Sequence, residues 1–339
     1  MEWCKTSLHY STASLAPTPL LSITPSLHQC VRLACSAMAT RFEMILHGED
    51  VVALRAAGEE AINEIESLEE QLSLYRPTSQ IAALNARAAR TPMRVTPPVF
   101  ALLQHAKKLS QETGGAFDIT IGPLVRCWGF MGGSGRMPAA EEVTEARAKV
   151  GMHLVHLNPN EFTVQFAREG VMLDLGAIGK GYAIECAAEI LREAGVTSAL
   201  LHGGTSTVYA LGRPPDAENW KVAIESPPPT FIATSISLPP VLLQDEAMSV
   251  SAIWGRAFQN EGQLFGHVLD PRTGNPAAGA VLAAVILPSA TETDALSTAL
   301  LTLGSEGHEK VGGLRPRMRS LVVSHSAGHF YTQTRGMSL

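Results

Sequence analysis

VMLDLGAIGKGYAIE, residues 171–185, changes character halfway along its length. Residues 171–175 are apolar except for Asp174, the make-up of a short buried strand, whereas GAIGKG is a flexible turn and residues 182–194 carry a helical pattern stopped by Gly195. A strand that ends in a carboxylate and feeds a glycine-rich helix start lets main-chain amides and carbonyls approach a ligand closely. Lys180, in that turn, would aim its ammonium at a phosphate or a ring carbonyl. A strand–helix connection with an exposed salt bridge uses the same residues, and this segment alone leaves both readings open.

Upstream, MATRFEMILHG (38–48) alternates like a strand, and residues 51–74 place Leu54, Ala61, Ile62, Ile65, Leu68 and Leu72 on one helical stripe. Thr96 and Pro97 supply a cap and a first-turn proline for a second helix through Leu109, closed by Gly114-Gly115. A glycine-rich loop follows to about Gly135. Strands are predicted at 162–166, at 199–201 leading into His202-Gly203-Gly204, at 220–224, and in the buried run 281–287. The proline run 227–229 marks a loop, 293–303 a helix closed by Gly304, and 320–324 with 330–334 a terminal hairpin. Strands and helices mix without the steady alternation of a doubly wound sheet, which predicts an α+β fold with mixed sheets and packed helices. No G-x-G-x-x-G follows the first strand, so a Rossmann domain is not expected.

The 339 residues suffice for a large buried core, and 45% hydrophobic with 17% charged residues is a globular balance. A formal net charge of -6 argues against a sequence-independent grip on nucleic acid, so any bound phosphate must be held by local donors or a metal. The five cysteines contain no C-x-x-C pair and suggest neither a zinc site nor a disulfide framework; reduced cytosolic thiols are the plainer reading. No run reaches the roughly 18 apolar residues of a membrane helix. Residues 1–37, rich in Ser, Thr and Pro, are expected to be a disordered extension. Their prolines interrupt any signal-like apolar core, and Arg32 spoils the lipoprotein-like Leu33-Ala34-Cys35, so a cytoplasmic location is expected.

Four further segments carry groups capable of chemistry. TETDALSTALLTLG (291–304) sets Asp294 and Thr298 four apart on one helix face with Ser297 beside them, a carboxylate and a hydroxyl that suit a hard cation. The structural alternative is an Asp favouring the helix dipole and a Thr bonded back to a carbonyl. GHVLDPRTGNP (266–276) joins His267, Asp270, Arg272 and Thr273 in a turn, where only His267 goes beyond ordinary turn chemistry as a proton acceptor near neutral pH. Tyr75 with Arg76 and Ser79 in LSLYRPTSQIAALN (72–85), and Phe117 with Asp118 in TGGAFDITIGPLVRCWGF (113–130), offer aromatic and polar groups to a ring system. Taken singly, Phe117 and Trp128 read as core.

In this order, MATRFE, YRPTSQIAALN, GGAFDITIGPLV with WGF, LDLGAIGKGYA, HGG, HVLDPRTG and TDALSTAL, spread over most of residues 38–304, resemble the ApbE-like flavin transferases, the FAD:protein FMN transferase family. The resemblance implies an ApbE-like fold of intertwined subdomains over residues 38–339. It also implies magnesium-dependent transfer of FMN from FAD to a Thr or Ser hydroxyl of an acceptor protein, with release of AMP: protein flavinylation, a post-translational modification. It implies FAD contacts at Met38, Tyr75, the Ala116-Phe117-Asp118 turn, Asp174, Lys180 and Val268. Mg2+ would be held by the Ala177 carbonyl with Asp294 and Thr298, and His267, oriented by Asp270, would accept the hydroxyl proton. An FAD pyrophosphatase giving FMN and AMP, and a non-catalytic flavin-binding protein, are the alternatives. The sequence departs from the family pattern at His202 and Thr205 around the Gly-Gly pair, and at Val250-Ser251-Ala252 and Trp254, where Thr-Ser-Gly and a Tyr are usual.

Overall fold

Residues 29–226, 238–326 and 329–337 are described by a computed structural model. Its main sheet has eight strands: β1 Gln29–Ala37, β2 Thr40–Gly48, β3 Ser198–Gly203, β4 Thr207–Gly212, β5 Glu246–Ala252, β6 Leu282–Leu287, β7 Arg319–Ser326 and β8 His329–Arg335. They lie side by side in that order, every neighbouring pair antiparallel. The helices are α1 Val51–Leu72, α2 Gln80–Arg87, α3 Pro97–Glu112, α4 Gly122–Cys127, α5 Ala140–Arg147, α6 Gly179–Glu193 and α7 Ala290–Gly312. The fold is α+β.

Helices α1, α6 and α7 pack on one face of the sheet and on one another. α1 starts where Asp50 accepts from Val52 N (2.9 Å) and Ala53 N (3.0 Å), and it buries Leu54, Ala61, Ile65, Leu68 and Leu72. The opposite face carries a second cluster in which Trp220, Ile224, Val241 and Leu243 cover Met248, Ala284 and Ile286. β6 lies between the two layers, which is why all six of its residues are buried and its sequence is a continuous apolar run. α2, α3 and a three-stranded sheet (Met93–Arg94, Thr163–Phe166, Val155–Asn158) extend the first core sideways. A third cluster joins Leu124, Trp128 and Phe130 to Leu269 and to Phe258 and Phe265 of the hairpin Ala257–Asn260/Gln263–Gly266.

Four expectations are corrected. Residues 29–37 of the expected extension form β1, an edge strand that buries Val31 and Ala37; the chain is structured nine residues before Met38, because β2 requires a partner on that side. Residues 1–28 of the extension, and the loop expected at 227–229, lie outside the described residues. Residues 171–175 are not a strand: Asn85 takes both main-chain groups of Leu173 (Oδ1 from its N–H, 2.7 Å; Nδ2 to its C=O, 2.9 Å), and Asp174 N donates to Ile119 O (2.7 Å). On one side a side chain takes the place of a sheet neighbour, and on the other only a single parallel bridge, Met172 to Ile121, forms. α7 does not stop at Gly304. That residue turns to φ 65°, lying so close to Gly279 that a Cβ would come within 2.0 Å of its carbonyl oxygen, and the helix resumes to Gly312. Finally, α6 starts at Gly179, three residues before Tyr182.

Candidate active site

α6 and α7 meet at their N-terminal ends, where Gly181 provides the space. A Cβ there would come within 2.2 Å of Ala290 O and 2.8 Å of Asp294 Cβ, so only glycine permits this approach. The contact lets Gly181 N–H donate to Asp294 Oδ2 (3.0 Å). That N–H is one of the four at the start of α6 that have no acceptor within the helix, whose first internal bond runs from Tyr182 N to Ile178 O (3.0 Å). Asp294, a carboxylate only 4% exposed, thereby caps the start of α6. Thr298, one turn beyond Asp294, donates back to Asp294 O (3.2 Å), the structural alternative anticipated for it, and this bond uses the hydroxyl proton while its oxygen lone pairs stay available. Ser251 Oγ lies 3.2 Å from Thr298 Oγ1 and 2.9 Å from Ser297 Oγ, so β5 supports this hydroxyl from the sheet side. Asp294 and Thr298 thus share one face of α7 at this junction, and Ala177 lies two residues before the start of α6.

Lys180 stands at the rim of this junction, with Nζ donating to Gly176 O (2.8 Å) and 3.8 Å from Asp294 Oδ2. Asp174 turns its Oδ1 onto Gly176 N (2.8 Å). Burial pushes the Asp174 carboxyl pKa up, against that bond and the charges of Lys180 and Arg256. The phenol of Tyr75 is raised first by burial and then by the Asp174 charge, while Arg256 opposes; Tyr75 nevertheless keeps 62% of its surface exposed.

Met38 and Ala39 form the two-residue turn between β1 and β2, both at positive φ (51° and 58°), the mirror-image turn that hairpins favour but normally fill with Asn or Gly. Glu69 Oε1 fastens it by accepting Met38 N–H (2.9 Å), and Glu69 Oε2 also holds Arg76, the neighbour of Tyr75, at 2.7 Å. Met38 and Tyr75 are therefore linked through one carboxylate. Strain held in this way concentrates at ligand-handling positions.

His267 is half-buried. Its Nδ1 lies 3.0 Å from Arg256 O and 3.4 Å from Arg256 N, and its main-chain N–H donates to Arg256 O (2.9 Å); the shorter contact favours the tautomer in which Nδ1 donates and Nε2 carries the lone pair. Burial lowers its pKa below the ordinary histidine value, and the charges of Arg256 and Lys180 lower it further, against the hydrogen bond to Arg256 O. Val268 follows in the chain, its carbonyl bonded to Ala277 N (2.8 Å).

Two expectations fail here. Asp270 does not orient His267: it is buried and clasped by Arg272, whose Nε and Nη2 reach its two oxygens at 2.9 and 2.8 Å, and the oxygen that fixes the imidazole belongs to Arg256. The Phe117 and Asp118 side chains are not offered to a ligand. Phe117 is 1% exposed in the core with Ala116, and Asp118 accepts from Ser110 Oγ, Met152 N, Thr120 N and Thr120 Oγ1, saturating both its oxygens. Only main-chain atoms of that turn remain for a ligand. Sequence reasoning missed Arg256, Ser251 as a support, Glu69 and the Gly181 N–H. A cation two residues beyond Trp254, in a segment already marked as unusual, is the signal that would have found Arg256.

The departures from the family pattern lie elsewhere. His202 Nε2 is 3.2 Å from Glu43 Oε2, and its neighbours on β3, Ala199 and Leu201, point into the first core, so His202 faces away from the helices. Val250 and Trp254 pack in the second cluster, likewise on that face.

The ApbE family model matches residues 38–318. Among curated relatives, the FAD:protein FMN transferase of Treponema pallidum (strain Nichols) is 32% identical over 267 residues, covering 75% of this chain and 73% of its own, and that of Klebsiella pneumoniae (strain 342) is 30% identical over 273 residues, covering 78% and 83%. Among solved structures, the apo flavinyl transferase ApbE of Pseudomonas stutzeri superposes with a TM-score of 0.78 at 28% identity, over 92% of this chain and 98% of that one. The ApbE protein of Thermotoga maritima gives the same TM-score at 26% identity, over 87% and 94%.

Proposed function

The chain belongs to the ApbE family, and from that premise we propose that it is an FAD:protein FMN transferase, moving FMN from FAD to a Thr or Ser hydroxyl of an acceptor protein, with residues 38–339 as the transferase domain. The observation that carries the reading is the bond from Gly181 N–H to Asp294, which sets a buried carboxylate of α7, with the Thr298 hydroxyl one turn on, against the start of α6, where the Ala177 carbonyl would join them. These oxygens fit Mg2+, which prefers hard donors and leaves positions for water and phosphate oxygens. Among the described residues no three His, Cys, Asp or Glu side chains form a metal cluster, so the remaining ligands would come from the pyrophosphate and solvent. When bound, Mg2+ neutralises charge on the pyrophosphate.

The protein's own residues do the rest. Lys180 leaves Gly176 O to reach the pyrophosphate, and the Met38 turn, Tyr75, Asp174 and Val268 hold FAD, with the main chain of the Ala116-Phe117-Asp118 turn. His267 Nε2 takes the proton of the acceptor hydroxyl as its oxygen bonds to the FMN phosphorus. The bond from that phosphorus to the bridging oxygen breaks, and AMP leaves with the oxygen. This accounts for how an acidic chain handles a doubly phosphorylated substrate without a basic surface.

The test is incubation with FAD and Mg2+, with and without acceptor protein, followed by intact-mass measurement of the acceptor and chromatography of the nucleotides. Covalent FMN on the acceptor, with stoichiometric AMP, is the expected result. AMP and free FMN without an adduct would replace transfer by pyrophosphate hydrolysis, and bound but unchanged FAD would end both readings.

A further inference from the structure

We propose that Arg256 is a positioning residue that locks His267 and the glycine-rich loop 129–135 into one unit. It deepens the proposed function, since it rests on His267 as the proton acceptor. The loop has little preference for one conformation: Gly129, Gly132 and Gly135 all sit at positive φ. Its internal ties are Gly135 N to Gly129 O (3.2 Å) and Arg136 N to Trp128 O (2.8 Å). α4 holds its start, through Gly129 N to Arg126 O and Phe130 N to Val125 O (both 3.0 Å), and the side-chain tie across it is the Arg256 guanidinium, whose Nη2 donates to both Phe130 O (2.8 Å) and Gly133 O (3.0 Å).

The same residue grips the imidazole from the other side. Arg256 O accepts both the His267 main-chain N–H and its Nδ1–H, while Phe130, whose carbonyl the guanidinium holds, sets its ring edge-on to the imidazole (6.5 Å, 74°). Phe130 in turn packs on Phe258 of the hairpin that leads to His267 (5.9 Å). The main-chain hold survives any substitution of Arg256; the hold through Phe130 does not. Two cations act on the imidazole, Arg256 itself and Lys180 from α6, and Asp174 interacts with both. Removing the Arg256 charge therefore favours the imidazolium, whereas lysine keeps the charge and loses the planar fork that spans two carbonyls.

The experiment titrates the His267 imidazole by NMR in the full chain, its signal identified by its loss in His267→Ala, for wild type, Arg256→Met and Arg256→Lys. Trypsin cleavage after Arg136, located by mass spectrometry, reports loop opening in the same samples. Arg256→Met should move the His267 midpoint upward and accelerate cleavage by about tenfold, the effect of losing charge-assisted bonds across an exposed loop. Arg256→Lys should leave the midpoint in place and still accelerate cleavage. A wild-type midpoint and cleavage rate in Arg256→Met overturns the proposal. Neither readout needs turnover, so a shifted midpoint and a loosened loop with unaltered transfer support the positioning and overturn His267 as the base.

Discussion

Gly181→Ala tests the α6–α7 junction with one methyl group. On helix propensity alone, alanine inside a helix should stabilise by about 1 kcal/mol. The geometry predicts the opposite. The new Cβ would sit 2.2 Å from Ala290 O and 2.8 Å from Asp294 Cβ, contacts with backbone and a side-chain root that no rotamer change relieves. Overpacking of this kind costs about 1–3 kcal/mol. Separating the helices also breaks the hydrogen bond from Gly181 N to Asp294 Oδ2, a charge-assisted bond worth roughly 1.5–3 kcal/mol.

Subtracting the propensity gain leaves a net loss of about 1.5–5 kcal/mol. At about 2 °C per kcal/mol for a chain of this size, the melting temperature should fall by about 3–10 °C. Asp294 would be pushed away from the start of α6, so the Mg2+ concentration for half-maximal turnover should rise as well. Denaturant unfolding, thermal melts and Mg2+ titrations of turnover on the same preparation check both effects. A variant as stable as wild type or more so, with an unaltered Mg2+ response, would refute the reasoning.

Asp294→Asn keeps an oxygen for Gly181 N–H but removes the charge, so the Mg2+ requirement in a turnover titration should rise more than about tenfold with little change in melting temperature. His267→Ala should lower kcat by about 10²–10⁴ and leave FAD affinity, read by fluorescence quenching, nearly unaltered. Because the His267 pKa lies below the ordinary histidine value, the acid limb of kcat should fall at lower pH than an unperturbed histidine would give. Asp118→Ala strips the acceptor from four donors and should destabilise the fold by several kcal/mol in urea titrations, while the folded fraction keeps its FAD affinity, as a side chain that does not touch the ligand requires. Glu292, whose burial is outweighed by His105 and Arg315, is held down to about 2. Its contribution is therefore full above the unfolded carboxylate value and lost as pH falls towards 2, and Arg315→Met should remove much of that acid-side dependence in unfolding measurements between pH 2 and 5.

Much of the fold was legible because its elements obey periodicity. The α1 stripe, the all-apolar β6 and the terminal hairpin each satisfy their pattern without outside help. The failures share one cause, the replacement of a regular partner by something the local sequence does not specify. Asn85 stands in for a strand beside Leu173, a close contact with Gly279 lets α7 pass Gly304, and β1 exists to pair with β2 although its own residues look unstructured. In the candidate site, the placing of Asp294 and Thr298 one turn apart on a helix was legible from spacing, whereas Ala177 rested on resemblance alone. Asp270 was misread because adjacency in sequence was taken for contact, whereas the turn gives Asp270 to Arg272 and an eleven-residue hairpin excursion gives His267 to Arg256.

The strand alternation of β5 also decides what its unusual residues can affect. Ser249 and Ser251 point to α7, where Ser249 Oγ reaches Thr293 Oγ1 at 2.8 Å and Ser251 Oγ reaches Ser297 and Thr298. Met248 and Val250 point the other way, into the cluster around Trp220. A change at Val250 therefore alters packing on the far face of the sheet and leaves the hydroxyl pairs beneath the helix junction in place, whereas Ser251→Ala removes support from Thr298 without touching that far face. If the departures at Val250 and His202 shape anything specific to this chain, it is the surface of the sheet turned away from α7.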